Sequence, residues 1–378
     1  MTAIRRFLSL FLIFCLLSGA SCPAVEAEEA PAGPPAPSPV ISRRVPAYAG
    51  VNGWSARSGN DDHYSGYWTG KMPDDYLAYD LSGVPEAQRQ QVMAVWYNPS
   101  TFDQLGDWAS RTHEPTDYTI EVNAAPGGAF PEEGWVTVVT VTDNVHNARA
   151  HALDLTGYNW IRLHVTRADG SAAGTCEVNF DVHDVSAGSP DSWLFLGDSI
   201  TAGGMHNCYG TAFAAFVNRL DSRYFPLQIN GGIGGFTSRD ALRHIHRWLA
   251  VFPGRYVVIA YGTNDAWGNL GPDRYYQNTL VLITAVLEAG KIPVLPTIPY
   301  ATEPGVNRRL ADYNRQVERI WAEFPQVVHG PDFAAIFQEH PEYLGPDGFH
   351  PSNHGYENMR RIWAETMVER VYHAGSPD

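Results

Sequence analysis

The sequence predicts an antiparallel β-sandwich of the jelly-roll kind followed by a doubly wound α/β domain with a parallel sheet. Between about Val45 and Val185 the apolar residues come in β-branched and aromatic runs, punctuated by Gly, Asn, Asp and Pro, with no sustained helical period. After Ser189-Pro190 strand-length apolar runs alternate with segments of helical period, the grammar of a parallel sheet covered by helices. A chain of 378 residues is also long enough for two ordinary domains.

Taken in order, Arg5 and Arg6 precede an apolar run from Phe7 to Leu17 that is too short to span a bilayer comfortably. Small residues follow, so residues 1–27 read as an export signal cleaved after Ala27, with Val25 at the minus-three position. A lipoprotein would use Cys22, but Gly19-Ala20-Ser21 lacks the leucine usual at its first place, which favours cleavage. The expected location is exported (secreted, periplasmic or cell-surface), with no membrane span in the mature chain. Residues 28–44, rich in Pro and Ala, are expected to be an extended linker. The sandwich, residues 45–186, takes strands from "QVMAVWYN", "DYTIEVNA", "GWVTVVTVT", "ALDLTGYNWIRLHVTRADG" and "CEVNFDVHDV". In the α/β domain, residues 190–378, "WLFL", "LQIN", "YVVIAYG" and "IPVLPTI" read as strands. Tyr276, Leu280, Ile283 and Leu287 share one helical face, as do Leu310, Tyr313, Val317, Ile320 and Phe324. Met359, Ile362, Trp363, Thr366 and Arg370 mark the last helix.

The composition is 44% hydrophobic, 12% aromatic and only 18% charged, and the formal charge of −15 excludes a nucleic-acid partner, which needs clustered Lys and Arg. With Cys15 and Cys22 in the signal region, Cys176 and Cys208 remain as a pair, and the sequence leaves open whether they are bridged.

Several chemistries are excluded by motif. There is no P-loop, no HExxH helix and no Cys-x-x-Cys pair, and "GGIGG" at 231–235 lacks dinucleotide spacing. Thr201 removes Ser199 from a Gly-x-Ser-x-Gly elbow. No metal or organic cofactor is expected. Four blocks remain, each beyond a predicted strand or in a terminal loop: "GDSIT" (197–201), "INGGIGG" (229–235), "YGTND" (261–265) and "DGFHPSNHGY" (347–356). Singly they have ordinary readings. A serine after a strand is commonly a helix N-cap, Gly-Ile-Gly-Gly a turn, and Asn-Asp after a strand loop chemistry.

Together and in this order, the blocks resemble the SGNH, or GDSL-type, hydrolase family over roughly the last half of the chain. The resemblance implies Ser199 as nucleophile, His350 as base and Asp347 as the orienting carboxylate. It assigns the oxyanion to the backbone amides of Ser199 and Gly235 and the side-chain amide of Asn264. A serine hydroxyl needs such a base to react, and histidine serves best near neutral pH. Some carbohydrate esterases resembling this chain manage with a dyad, so Asp347→Asn is expected to cost less than loss of His350. Asp198 is expected to anchor neighbouring loops. His354 is the nearest rival base, but its spacing from Asp347 does not fit the pattern. His244 and His246, two apart on a helix, would face different ways, and "NDDHY" at 60–64 reads as a solvated loop before a calcium site.

The sandwich resembles galactose-binding-like modules, and its pairing with an SGNH domain is similar to certain carbohydrate acetyl esterases. Trp54, Tyr64, Tyr67, Trp68, Trp96, Tyr97 and Trp108 could stack on sugar or form a cleft wall, though at least half are expected in the core. The expected activity is hydrolysis of short acyl esters, above all O-acetyl, on a carbohydrate through an acyl-enzyme; the substrate partner is an acylated polysaccharide or small ester. The alternatives are a general lipase or arylesterase, an acyltransferase, and a non-catalytic glycan-binding surface protein. "AGGMHNCYG" after Ser199 is small and polar, unlike the apolar surround of a long-chain lipase.

Overall fold

Two antiparallel sheets build the N-terminal half. The first has the order β1 (Ala47–Ala49), β3 (Asp75–Asp80), β8 (Trp160–Ala168), β5 (Pro115–Asn123), β6 (Val136–Val141). The second has the order β2 (Trp68–Lys71), β9 (Thr175–Asp184), β4 (Gln91–Tyr97), β7 (Ala148–Asp154). The computed structural model describes residues 33–61, 63–98, 113–169, 174–188, 190–208 and 210–374. The signal region and Trp108 lie outside these.

Between the two sheets lie Trp68, Trp96, Ile120, Leu163 and Phe180. β4 shows how the sandwich meets the next unit. Val92, Ala94 and Trp96 face the sandwich core, whereas Met93, Val95 and Tyr97 join the core of the α/β unit. The two-residue period of a strand separates these sets onto opposite faces. Of the candidate sugar-stacking aromatics, Trp68, Trp96 and Tyr97 are buried, Tyr64 and Tyr67 half-buried, and Trp54 is 79% exposed.

The C-terminal half carries a parallel sheet of order β11 (Leu227–Gly232), β10 (Ser192–Gly197), β12 (Tyr256–Ala260), β13 (Ile292–Leu295), β14 (Val328–His329). Its strands are apolar on both faces because both are covered. Leu194 and Leu196 pack with α3 (Ser238–Ala241), α4 (Ile245–Val251), α6 (Pro272–Glu288) and α7 (Pro304–Glu323). Trp193 and Phe195 pack with α1 (Ser199–Gly204), α2 (Phe213–Leu220), α8 (Phe333–Glu339) and α9 (Asn353–Met367). β11 lies on one side of β10 and β12 on the other, so the chain order reverses at β10. Open α/β sheets bind ligands in the crevice at the carboxyl end of such a switch point. Ser199 follows β10 there.

Two helical faces depart from the sequence expectation at their margins. α6 buries Leu280 and Ile283 as expected, with Tyr275, Thr279, Leu282 and Val286 beside them, while Tyr276 and Leu287 are only partly buried. α9 and its continuation bury Met367 and Val371 where Thr366 and Arg370 were expected. In both cases a long polar-tipped side chain keeps its head at the surface: the Tyr276 hydroxyl donates to the Glu323 carboxylate, and Arg370 Nη1 donates to the His329 and Gly330 carbonyls.

The part of the proline-rich stretch that the structure describes is docked from Ala36 onward. Ala36 bridges Pro190 and Val40 bridges His183. The Ile41 amide donates to the Val182 carbonyl at 2.8 Å, and the Val182 amide donates to Ser42 Oγ at 2.9 Å. β2 pairs with β9 only over Thr175–Val178, so the exposed backbone edge beyond needs partners, and this segment supplies them. Cys176 and Cys208 are not bridged to each other: the first is buried in the sandwich core and the second half-buried after α1. Among the described residues no helix is long and apolar enough to cross a membrane.

Candidate active site

The strand-to-helix turn after β10 separates capping from chemistry. Asp198 is the N-cap of α1, its side chain accepting from the Ile200 amide at 2.9 Å. It is buried, and burial pushes its carboxyl up to about 7 against the pull of the Ile200 amide. With the cap supplied by Asp198, Ser199 is free of that duty. Its amide belongs to the first turn of α1, where amides have no partner inside the helix.

Ser199 Oγ lies 2.7 Å from His350 Nε2, and His350 Nδ1 donates to Asp347 Oδ2 at 2.7 Å. An ionised carboxylate only accepts, so Nδ1 carries the proton and Nε2 presents its lone pair to the serine hydroxyl. Asp347 Oδ1 accepts from the amides of Phe349 and His350 at 3.2 and 3.0 Å. Desolvation pushes the Asp347 carboxyl up, but the hydrogen bonds from His350 and Phe349 outweigh it and hold the carboxyl below its usual range. The turn itself is fixed: the Gly345 amide donates to the His350 carbonyl at 2.6 Å, and the Gly348 carbonyl accepts from Thr302 at 2.7 Å. The side chains of His350 and Asp347 are 33% and 43% exposed, so the site opens to solvent.

The neighbouring strands set the oxyanion candidates. β11 pairs Gly232 with Gly197, and the chain then turns through Gly235, which is exposed. Gly235 has φ +78°, a conformation that glycine adopts without strain, while a Cβ there would meet nothing within 4 Å. Gly232 is the reverse case: a Cβ would fall 2.1 Å from the Ala202 backbone nitrogen. Gly232→Ala is therefore expected to push α1 off the sheet, lowering thermal stability and activity together; a melting curve and an ester assay on the same sample check this.

Asn264 lies on α5 (Thr263–Trp267), after β12. Its Nδ2 donates to the Phe236 carbonyl at 3.0 Å, which ties the loops after β11 and β12 together. An amide has two N–H groups, so one remains to point elsewhere. Asp265, whose ordinary reading in the sequence is loop chemistry, pins the same loops: it is buried and accepts from the Ser238 amide at 2.9 Å and from the Ser238 hydroxyl. Asn264→Ala is expected to lower kcat about a hundred- to a thousandfold, as loss of one oxyanion donor does; steady-state kinetics on a small acetate ester check this.

The rival residues stand elsewhere. His354 is exposed on α9 against Tyr343 and Asn358. His244 precedes α4 as its N-cap residue instead of lying within a helix, packed near Phe236 and Trp248, and His246 is exposed. The Asp61 side chain accepts from the His63 amide at 2.8 Å, a turn contact. Among the described residues no group of three His, Cys, Asp or Glu could hold a metal ion. The pocket shared by the two halves is lined by Tyr97, Asn98 and Asn179 of the sandwich and by His206, Cys208 and Asn230, and Ser199 does not line it. Sequence reasoning missed an aromatic pair beside the base: Phe349 lies 4.3 Å from the His350 ring and 5.5 Å from Trp267. The only signal was Trp267, three residues after Asn264.

Residues 195–357 match the GDSL-like lipase/acylhydrolase family. The C-terminal half carries a GDSL-like lipase/acylhydrolase domain. The match begins within β10 and ends in α9, so this GDSL-like domain contains Ser199, Gly235, Asn264, Asp347 and His350. The chain is 25% identical over 190 residues to the thioesterase 1/protease 1/lysophospholipase L1 of Escherichia coli K12, covering 50% of this chain and 88% of that protein. It is 25% identical over 143 residues to an arylesterase of Vibrio mimicus, covering 38% and 70%. Similar solved structures include a lipase/acylhydrolase from Enterococcus faecalis (TM-score 0.41, 24% identity, 48% of this chain and 96% of that one). An acetylxylan esterase from Geobacillus stearothermophilus is another (TM-score 0.39, 24% identity, 49% and 95%).

Proposed function

We propose that the protein is an exported serine esterase that removes short acyl groups, above all O-acetyl, from a carbohydrate. The observation that carries the reading is the unbroken chain Ser199 Oγ, His350, Asp347, with 2.7 Å at each step. In this mechanism Ser199 Oγ attacks the ester carbonyl as its proton passes to His350 Nε2. Asp347 holds the imidazolium that forms. The amides of Ser199 and Gly235 and the second N–H of Asn264 receive the developing oxyanion. His350 then gives its proton to the departing alkoxide, leaving an acyl-enzyme on Ser199. Water repeats the sequence and releases the acid. The exposure of His350 and Asp347 supports water, in preference to a second alcohol, as the acceptor.

Support for export comes from the basic and apolar start of the chain, and for a short acyl group from the small, polar stretch after Ser199. The sandwich in front of the GDSL-like domain supports a carbohydrate substrate. Release of nitrophenol from p-nitrophenyl acetate, set against longer acyl esters and acetylated xylan, tests the reading. Acetate release from acetylated xylan with a steep fall beyond short acyl chains is the expected result. A preference for long acyl chains would replace it with a lipase, and no turnover with a glycan-binding protein.

A further inference from the structure

We propose that Trp267 is the platform on which the alcohol half of the ester, a sugar ring, stacks, so that it sets selectivity for carbohydrate esters over simple alkyl esters. This rests on the carbohydrate esterase reading above. Trp68, Trp96, Trp160, Trp193, Trp248 and Trp363 are fully buried, whereas Trp267 is 55% exposed. It is nevertheless held firmly. Trp267 ends α5, and the two carbonyls before it are engaged: Ala266 accepts from Arg309 Nη1 at 3.1 Å, and Asp265 from the Tyr313 hydroxyl at 3.0 Å and the Leu270 amide at 2.9 Å. An aromatic side chain on a fixed backbone has only two torsions to lose on binding, so its contact area comes at low entropic cost.

The ring is also placed on one side of the reaction. Trp267 and Phe349 lie 5.5 Å apart at 45°, and Phe349 lies 4.3 Å from the His350 ring, so an aromatic wall leads to the base. The same imidazole must protonate the departing alkoxide, so the alcohol half of the substrate borders His350. The wall therefore flanks the alcohol and not the acyl group. Around it Gly268, Asn269 and Asp347 are exposed and offer no further apolar surface. A flat apolar face with a polar surround matches a sugar ring, which has a C–H face and a hydroxyl rim.

The test holds the acyl group constant and varies the alcohol: acetylated xylo-oligosaccharide against ethyl acetate, for wild type, Trp267→Ala and Trp267→Tyr. In Trp267→Ala the ratio of kcat/KM values, sugar ester over ethyl acetate, is expected to fall about tenfold or more through KM, the loss typical of an anchoring tryptophan. Trp267→Tyr, which keeps a flat ring, is expected to restore most of the ratio. An unchanged ratio in Trp267→Ala overturns the platform alone, as does an equal fall in kcat on both esters, which would make Trp267 a support for the catalytic residues. A wild type that cleaves ethyl acetate but no acetylated sugar removes the carbohydrate reading and the platform with it.

Discussion

Ser199→Ala is expected to lower kcat/KM on p-nitrophenyl acetate by on the order of a millionfold, with His350→Ala equally damaging and the double variant no worse. A nucleophile and its base act as one unit, so removing either removes the covalent path. What remains comes from binding and oxyanion stabilisation alone. The fold is expected to survive both changes. Asp198, not Ser199, caps α1, and Ser199 and His350 are both partly exposed, so neither truncation empties a core. Melting curves beside steady-state kinetics separate the two effects. Substantial residual turnover in either single variant would overturn the assignment.

Replacing Asp347 should separate charge from geometry. Its two oxygens are used differently: Oδ1 accepts from two backbone amides, and Oδ2 faces His350 Nδ1. In Asp347→Asn the carbonyl oxygen keeps the amide-bonded position, which turns the NH2 group toward Nδ1. That amide donates, so Nδ1 must become an acceptor and the proton moves to Nε2. An imidazole protonated there cannot take the Ser199 proton. The expected loss for Asp347→Asn is about ten-thousandfold, the cost of the wrong tautomer. Asp347→Ala imposes no tautomer and is expected to be milder, though it removes support for the imidazolium. Both should remain more active than His350→Ala. Measuring kcat for the three variants checks the order; an asparagine variant as active as the alanine one would show that the tautomer is set elsewhere.

Much of this arrangement was legible residue by residue. The alternation of strand and helix after Ser189-Pro190 gave the parallel sheet, and the β-branched runs before it gave β4, β5, β6, β8 and β9 of the sandwich, whereas β1, β2 and β3 lay outside them. The four blocks named the candidate residues because each follows a strand or sits in a terminal turn. The helical faces were less legible: Tyr276 and Arg370 fit the apolar spacing by position, but their polar tips draw them to the rim. The Pro/Ala-rich stretch carried no sign that its backbone would complete the edge of β9. Trp267 stood just beyond the block at 261–265 without a pattern of its own, and its role comes from what packs against it.

The sequence by itself determined the order of the elements, the switch in period between the two halves, and the chemical identity of the groups near the candidate site. These are local properties, written by side-chain spacing over a turn or a strand. Only the tertiary structure decided that the Ser199 hydroxyl and the His350 imidazole, 151 positions apart, come within 2.7 Å. It likewise decided which oxygen of Asp347 faces the base and why one tryptophan stays in water beside it. Distances of that kind depend on how α1 and the terminal turn pack around one sheet edge. Spacing along a chain does not encode such packing.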